Sequence, residues 1–133
     1  MALAKRGARI VVCGTGAERE ACERVARAIG DGAVSLAGAT GLLEQAAICA
    51  RARVAVCNDS GLAHLSAAVG CPTVAIFGST SSAWTAPIGE RVRIVQHAPV
   101  CAPCFQRTCR IGYGCLTAVT VGEVERACEE IAA

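Results

Sequence analysis

The strongest constraint on the fold is a set of short, uninterrupted apolar runs that are rich in β-branched residues. The clearest are RIVVC at residues 9–13, VAVC at residues 54–57 and TVAIF at residues 73–77. A continuous apolar run, in contrast to an alternating one, predicts a strand that is covered on both faces. Such strands are typical of a parallel sheet flanked by helices.

The segments that separate these runs have helical spacing. Helices are predicted at residues 18–29, 42–50, 61–69 and 121–131, and weaker strands at residues 33–36 and 92–96. Thr120 and Glu123 have the spacing of a capping box at the start of the last helix. Strands that alternate with helices predict an α/β fold made of βαβ units, with residues 1–133 as a single domain and residues 97–119 as a cysteine-rich loop.

Charge and composition exclude several classes of function. The chain has 13 basic and 11 acidic residues, for a formal net charge of +2, and the basic residues are dispersed. A nucleic-acid partner is therefore not expected, because phosphate-backbone binding requires clustered positive charge. The apolar part of the amino-terminal segment runs for only about four residues before Gly14, which is too short for a secretion signal.

The ten cysteines fall into two groups. Six are scattered through apolar or helical segments, where a cysteine behaves as a small buried hydrophobe. The others form one cluster in the loop, Cys101, Cys104, Cys109 and Cys115. Four thiolates match the ligand number of a zinc or iron–sulfur site, so a metal-binding interaction domain is one hypothesis for the chain. Reduced thiols or disulfides that tie the loop are the alternative, and we assign no metal ligand and no cofactor.

The most informative segment begins at Asn58, directly after the VAVC run. The carboxyl end of a parallel strand is where open α/β sheets bind ligands, and the next helix starts here. Asp59 or Ser60 can cap this helix, and its first-turn amides, beginning at Gly61, suit a diphosphate. His64 lies one turn further on and can face the same anion. Asp59 would repel phosphate, so its expected partner is a hydroxyl of a sugar or ribose. The alternative is that Asp59 and Ser60 only cap the helix and that His64 is an ordinary surface or core histidine.

The string NDSGLAHLSAAVGCPTVAIFGST, residues 58–80, resembles the signature of glycosyltransferase family nine, the heptosyltransferases. In that signature Asp-Ser/Thr-Gly-x-x-His opens a helix, and a strand ending in Phe-Gly or Tyr-Gly follows. Two further segments resemble the family, LAGATGLLEQAAICARA at residues 36–52 and CAPCFQRTCRIGYGCL at residues 101–116. The resemblance implies a Rossmann-like, three-layer, doubly wound parallel sheet, the carboxyl-terminal domain of the GT-B architecture.

The resemblance also implies which residues bind a nucleotide-sugar donor such as ADP-heptose. It assigns the diphosphate and sugar of the donor to Asp59, Ser60, Gly61 and His64. It places Thr40 near the nucleoside and Glu18 near the ribose. The residues themselves allow other roles, because Glu18 can form a capping box with Thr15 and Thr40 can cap the helix that begins at Leu42. The Ser79-Thr80 pair after the Phe-Gly strand end either lines the same cleft or is ordinary loop.

Two parts of the family pattern are expected to precede Ala2: the first strand of the donor domain, and an acceptor domain with the catalytic carboxylate. No catalytic residue is therefore assigned to this chain, which is expected to be inactive alone and to meet its lipopolysaccharide-core acceptor through that amino-terminal domain. A cytoplasmic location, peripheral to the inner membrane, is implied as well. The alternative is a stand-alone nucleotide-binding or regulatory module without turnover.

The absence of the first strand has a structural consequence. In the doubly wound strand order 3-2-1-4-5-6 that strand is central, so the runs at residues 9–13 and 54–57 would flank a gap. The sequence therefore predicts an interrupted or rearranged sheet, in which the two strands pair directly, another chain fills the gap by self-association, or the gap reflects a truncated gene.

Overall fold

The computed structural model describes residues 7–132, which divide into two compact units, Met1–Gln45 and Ala46–Ala133. The first unit contains β1 (Ile10–Val12), a short 3-10 helix (Gly16–Glu18), α1 (Arg19–Ile29) and β2 (Ala33–Ser35). Helix α2 (Leu42–Arg51) runs across the division between the units. The second unit contains β3 (Ala55–Asn58), α3 (Gly61–Ala68), β4 (Thr73–Phe77), α4 (Ser82–Thr85), β5 (Val92–Gln96), α5 (Gly114–Thr117) and α6 (Val121–Ala132).

The predicted strands and helices are all present, and the bounds of β4 and β5 are those expected from sequence. Helices α4 and α5 are the difference, since α5 lies in the predicted cysteine-rich loop and α4 in a segment for which no helix or strand is predicted. Each has four residues, too few for an apolar stripe to repeat, so periodicity gives no signal for them. Local bonds hold them instead: in α4 the hydroxyl of Thr85 donates to the carbonyl of Ser81, at 3.2 Å.

The strands form two parallel sheets. β1 pairs with β2, with Val11 opposite Val34, and β4 lies between β3 and β5 in the second sheet. Within residues 7–132, β1 pairs with no strand other than β2, and β3 with none other than β4. These pairings are those of the order 3-2-1-4-5-6 without its strand 1, so the predicted interruption of the sheet is confirmed.

Both faces of β4 are covered, because successive side chains of a strand point to opposite faces. Val74 packs on one side with Val95 and with residues of α6, namely Ala127, Cys128 and Ile131. Ala75 and Phe77 pack on the other side, in a cluster with Cys57 and Ala63. The second unit therefore has a three-layer core, and four of the five residues of its middle strand are buried, as the continuous apolar run predicted.

The strands of the first unit are covered less completely. Helix α1 buries Cys22 and Ala26, which lie four residues apart on one face, and it packs on both strands. Val11 and Val34, at the middle of β1 and β2, are 41% and 50% exposed. The expectation that both faces are covered is therefore wrong for this unit, since the described part of the chain supplies a helix to one face of these short strands only.

Residues 62–78 carry no formal charge, and they comprise most of α3, a turn at Gly70 and strand β4. No helix within residues 7–132 is long and apolar enough to cross a bilayer.

Candidate functional site

Polar side chains lie where β3, β4 and β5 end. Parallel strands bring their carboxyl ends to one edge of the sheet, and this edge carries Asp59, Thr80 and Gln96. The hydroxyl of Thr80 donates a 2.6 Å hydrogen bond to Oδ2 of Asp59. The side-chain amide of Gln96 donates to the carbonyl of Thr80 at 3.1 Å, and its Oε1 accepts from the hydroxyl of Ser82 at 2.6 Å. One hydrogen-bonded chain therefore links the ends of the three strands.

Asp59 does not cap α3, so that part of the expectation is wrong. Its amide donates to the carbonyl of Ile76 and its carboxylate is held by Thr80, on the neighbouring strand end. Ser60 occupies the N-cap position in an extended conformation, but its hydroxyl forms no capping hydrogen bond. The amide of Ala63 bonds to the carbonyl of Ser60, at 3.1 Å. Within the described chain, the hydroxyl of Ser60 is thus available to a ligand.

The start of α3 is exposed while its far side is anchored. Gly61 and His64 are both exposed and, three residues apart, they lie on the same side of the helix. Ala63 and Ser66 are buried, and the hydroxyl of Ser66 donates to the carbonyl of Leu62 at 2.8 Å and lies 3.3 Å from the sulfur of Cys49. This packing fixes a helix start whose first turn contains no acidic residue. Such a start attracts anions, because unpaired N–H groups and the helix dipole act together.

The cysteine-rich loop lies against the segment that follows β4. The amide of Phe105 donates to the carbonyl of Ser79 at 2.9 Å, and the Phe105 ring stacks on Trp84 with centroids 5.9 Å apart. Leu116 covers Gly78 so closely that a Cβ at Gly78 would stand 2.7 Å from a Leu116 methyl group. The loop thus supports the chain immediately before Thr80.

The four loop cysteines are not gathered around one point in the described structure. Among residues 7–132, no three His, Cys, Asp or Glu side chains converge in a way that could hold a metal ion. The sulfur of Cys109 instead accepts hydrogen bonds from the amides of Ile111, at 3.4 Å, and Tyr113, at 3.2 Å. These bonds stabilise the thiolate and lower the pKa of Cys109 below its usual value. The hypothesis of a four-cysteine metal-binding domain gains no support from this arrangement.

Glu18, in the first unit, forms the capping box that its spacing with Thr15 allowed. Its Oε2 accepts from the Thr15 amide at 2.8 Å and from the Thr15 hydroxyl at 2.7 Å. These two bonds favour the charged form and lower the pKa of the Glu18 carboxyl. The carboxylate is therefore held at the start of the 3-10 helix. The capping box uses Oε2 and does not use Oε1.

Thr40 does not cap α2, so that alternative is wrong. Gly41 precedes the helix, and its amide donates to the carboxylate of Glu44 at 2.7 Å. The hydroxyl of Thr40 donates to Oε1 of Gln45 at 3.0 Å. The Thr40 side chain thus lies partly exposed in the loop after β2, and it does not accept a hydrogen bond from the first amides of α2.

The loops that carry Glu18 and Thr40 run side by side. The amide of Gly38 donates to the carbonyl of Gly14 at 3.0 Å. A Cβ at Gly38, which has a positive φ of 68°, would lie 2.6 Å from the Cα of Gly16. Only glycine fits both the backbone conformation and the approach. The first unit therefore brings the carboxyl ends of β1 and β2 together, as β-strand pairing requires.

Sequence reasoning missed Gln96 and Ser82 as parts of the site and left Thr80 undecided between cleft and loop. Gln96 did offer a signal, because it is a polar residue at the last position of the otherwise apolar end of a strand, IVQ. Its partners could not be read from the sequence, since they follow from the register that sets Gln96 opposite Phe77.

The chain resembles known proteins over most of its length. A family model described as glycosyltransferase family 9 (heptosyltransferase) matches residues 1–113. Lipopolysaccharide heptosyltransferase 1 of Pseudomonas aeruginosa is 40% identical over 101 residues, which cover 72% of this chain and 26% of that protein. The chain thus spans about a quarter of the length of this curated relative.

Solved structures show the same fold. The structure of E. coli ADP-heptose lps heptosyltransferase II superposes with a TM-score of 0.83 at 25% identity, covering 98% of this chain and 38% of that one. A glycosyl transferase family 9 protein from Veillonella parvula gives a TM-score of 0.82 with the same coverage, and at 19% identity it shows the fold alone. Because the family model matches most of the chain and the fold agrees, the chain belongs to glycosyltransferase family 9, the heptosyltransferase family.

Proposed function

We propose that residues 1–133 are the donor-binding part of a heptosyltransferase, holding a nucleotide sugar such as ADP-heptose for transfer to the lipopolysaccharide core. The observation that carries this proposal is the carboxylate of Asp59, held by Thr80 beside the uncapped start of α3. A fixed carboxylate next to a row of amides suits a ligand in which hydroxyl groups adjoin a diphosphate. The names of the similar proteins, lipopolysaccharide heptosyltransferase 1 and ADP-heptose lps heptosyltransferase II, agree with such a ligand.

The diphosphate is assigned to the start of α3. The amides of Gly61 and Leu62 donate hydrogen bonds to phosphate oxygens, and the hydroxyl of Ser60 adds one donor. His64, on the same exposed side, donates a further bond as negative charge grows on the departing ADP. These groups stabilise the leaving group, which is the contribution that a donor domain makes to glycosyl transfer.

Asp59 is assigned to the sugar. A carboxylate close to phosphates is repelled by them, so it serves best as an acceptor for hydroxyl groups. Thr80 occupies Oδ2, and among the described residues Oδ1 has no hydrogen-bond partner. Oδ1 is therefore the atom that accepts from a donor hydroxyl.

The nucleoside is assigned to the first unit. Glu18 uses one carboxylate oxygen in its capping box, which leaves the other to accept from the ribose. Thr40, in the neighbouring loop, is assigned a position near the nucleoside. Both assignments follow the family resemblance, and the capping box of Glu18 gives it a structural role as well.

Transfer requires a carboxylate that deprotonates the acceptor hydroxyl while ADP departs with inversion at the anomeric carbon. No residue of this chain is assigned that role. We propose that the acceptor side resides in the part of the relatives that the chain does not match, that transfer fails without it, and that the protein works in the cytoplasm at the inner membrane. Self-association through the unpaired edges of β1 and β3 stays a prediction, which sedimentation velocity would test.

The test is calorimetric titration of the whole chain with ADP, UDP and ADP-heptose. We expect binding of ADP and ADP-heptose in preference to UDP, and a loss of about tenfold or more in affinity for Asp59→Ala and His64→Ala. Asp31→Asn, a surface carboxylate of the first unit, is the control for loss of charge. No binding by a chain that circular dichroism shows to be folded would refute the proposal.

A second experiment separates the transferase from a stand-alone module. We expect that supplying an amino-terminal acceptor domain of a family member restores transfer from ADP-heptose to a lipopolysaccharide core. Nucleotide binding that persists while every such combination stays inactive would favour a binding or regulatory module instead.

A further inference from the structure

We infer that Thr80 and Gln96 are positioning residues that hold the carboxylate of Asp59 in the orientation needed to recognise the sugar of the donor. This inference rests on the proposed function and names the two side chains, neither of them a ligand contact, on which sugar recognition depends. It follows from the hydrogen-bonded chain across the ends of β3, β4 and β5.

Thr80 fixes Asp59 directly. The bond from its hydroxyl to Oδ2 is 2.6 Å long and ends on a charged group, the kind of hydrogen bond that is shorter and stronger than one between neutral groups. Without Thr80, the Asp59 side chain could rotate about two bonds. The backbone of Asp59 is held to Ile76 by one hydrogen bond, from the Asp59 amide to the Ile76 carbonyl. With Oδ2 occupied, rotation of the carboxylate is restricted, and Oδ1 is the oxygen presented to a ligand.

Gln96 fixes Thr80. Both ends of its amide are used: Nε2 donates to the carbonyl of Thr80 at 3.1 Å, and Oε1 accepts from Ser82 at 2.6 Å. The two bonds specify the orientation of the amide, since a reversed amide would face a carbonyl with its oxygen. Gln96 thus clamps the segment from Thr80 to Ser82 against the end of β5 without approaching Asp59 itself.

The segment before Thr80 is packed and hydrogen-bonded to its neighbours. Phe77, directly opposite Gln96 in the sheet, is fully buried, and Leu116 lies over Gly78. The carbonyl of Ser79 is held by the amide of Phe105. The chain is held up to Ser79 by these contacts. The hydrogen bond from Gln96 to the carbonyl of Thr80 then restricts the backbone of Thr80 itself.

The consequence is specific to the sugar. Phosphates are bound by amides of α3, which do not depend on the orientation of the Asp59 side chain. A carboxylate that turns freely loses alignment with a sugar hydroxyl but leaves the amides in place. Disturbing Thr80 or Gln96 should therefore reduce the affinity for ADP-heptose and leave the affinity for ADP nearly unchanged.

The test compares the dissociation constants of ADP and ADP-heptose, measured by calorimetry on the whole chain. We expect Thr80→Val, which keeps the shape and removes the hydroxyl, to weaken ADP-heptose binding about tenfold. Thr80→Ser should restore it, because the hydroxyl returns. Gln96→Leu should weaken ADP-heptose binding by a smaller factor, and the double variant should match Thr80→Val alone, because both act through one bond to Asp59.

Thr108→Val is the matched control, since it removes an exposed threonine hydroxyl that lies outside the chain of bonds to Asp59. Equal losses for ADP and ADP-heptose in Thr80→Val would overturn the inference, as they would indicate a general structural role. So would an unchanged ratio of the two constants in both Thr80→Val and Gln96→Leu. Failure of the unmodified chain to bind either ligand is a separate result, which removes the proposed function and this inference with it.

Discussion

The Nε2 atom of His97 lies 2.8 Å from Oε1 of Glu123 and joins the residue that follows β5 to the first turn of α6. The other oxygen of Glu123 accepts from the amide and the hydroxyl of Thr120, both at 2.7 Å, in the predicted capping box. The two bonds from Thr120, and after them the bond from His97, lower the pKa of Glu123 from 4.5 to about 2.

This shift predicts an acid-dependent loss of stability. A carboxyl whose folded pKa is depressed stabilises the fold fully above its unfolded value of 4.5, and that contribution disappears as the pH falls towards about 2. We expect chemical denaturation midpoints to fall across this interval. Glu123→Gln should flatten the dependence and lower stability at neutral pH, whereas the exposed control Glu90→Gln should leave the profile unchanged. A Glu123→Gln profile parallel to that of the unmodified chain would contradict the assignment.

The contact between Gly78 and Leu116 predicts a second effect. A methyl group at Gly78 would come within 2.7 Å of the end of the Leu116 side chain and 3.0 Å of its Cγ, so Leu116 must move. Gly78→Ala should lower the free energy of unfolding by about 1 kcal/mol, the low end of the cost of overpacking, because Leu116 is half-exposed and can shift. Urea denaturation measures this change.

A double variant provides the control. Leu116→Ala removes the side chain that a methyl group at Gly78 would meet. Gly78→Ala should therefore lower the free energy of unfolding by less in the Leu116→Ala chain than in the unmodified chain. Additive losses would mean that the two residues do not meet.

Much of the fold could be predicted because a strand that is buried on both faces appears in the sequence as a continuous apolar run. The run TVAIF predicted a strand covered on both faces, and Val74 and Phe77 lie in the two core clusters on opposite faces. The same reasoning failed for Val11 and Val34, since an apolar run cannot report whether a helix is present to cover it.

The site was predicted in part. Asp59 and His64 were singled out from their place after a strand and at a helix start, which are local features. The partners of Asp59 were not predicted, because its bond to Thr80 depends on two chain segments meeting at a sheet edge and on side-chain rotamers. Gln96 was missed for the same reason: its role is set by the register of β5 on β4 and leaves no local pattern.

Cys109 should be an unusually reactive thiol. The amides of Ile111 and Tyr113 stabilise its thiolate and lower its pKa, whereas burial raises the pKa of Cys71 and Cys128. Because the thiolate is the nucleophile, a larger fraction of Cys109 reacts at neutral pH. We expect iodoacetamide, followed by mass spectrometry of the peptides, to label Cys109 well before Cys71 and Cys128, with a pH profile shifted to lower pH than that of free cysteine.

Denaturant is the control for this labelling. The bonds from Ile111 and Tyr113 exist only in the folded loop, so the pH midpoint of Cys109 should return to that of an ordinary cysteine in the unfolded chain. The same midpoint in both states would show that the amides do not act on the sulfur.

Ser60 offers a way to separate binding from folding at the candidate site. A serine at an N-cap usually stabilises its helix by about 1 kcal/mol through a bond from its hydroxyl, but Ser60 forms no such bond. Ser60→Ala should therefore change the free energy of unfolding by less than about 0.5 kcal/mol. If its hydroxyl is used by a diphosphate instead, the same variant should weaken binding of ADP and ADP-heptose alike, by about threefold to tenfold.

Thr120→Ala is the matched control, because Thr120 does cap α6 and its loss should lower stability while ADP binding is retained. A destabilised Ser60→Ala with normal affinity would assign Ser60 to the helix and not to the ligand.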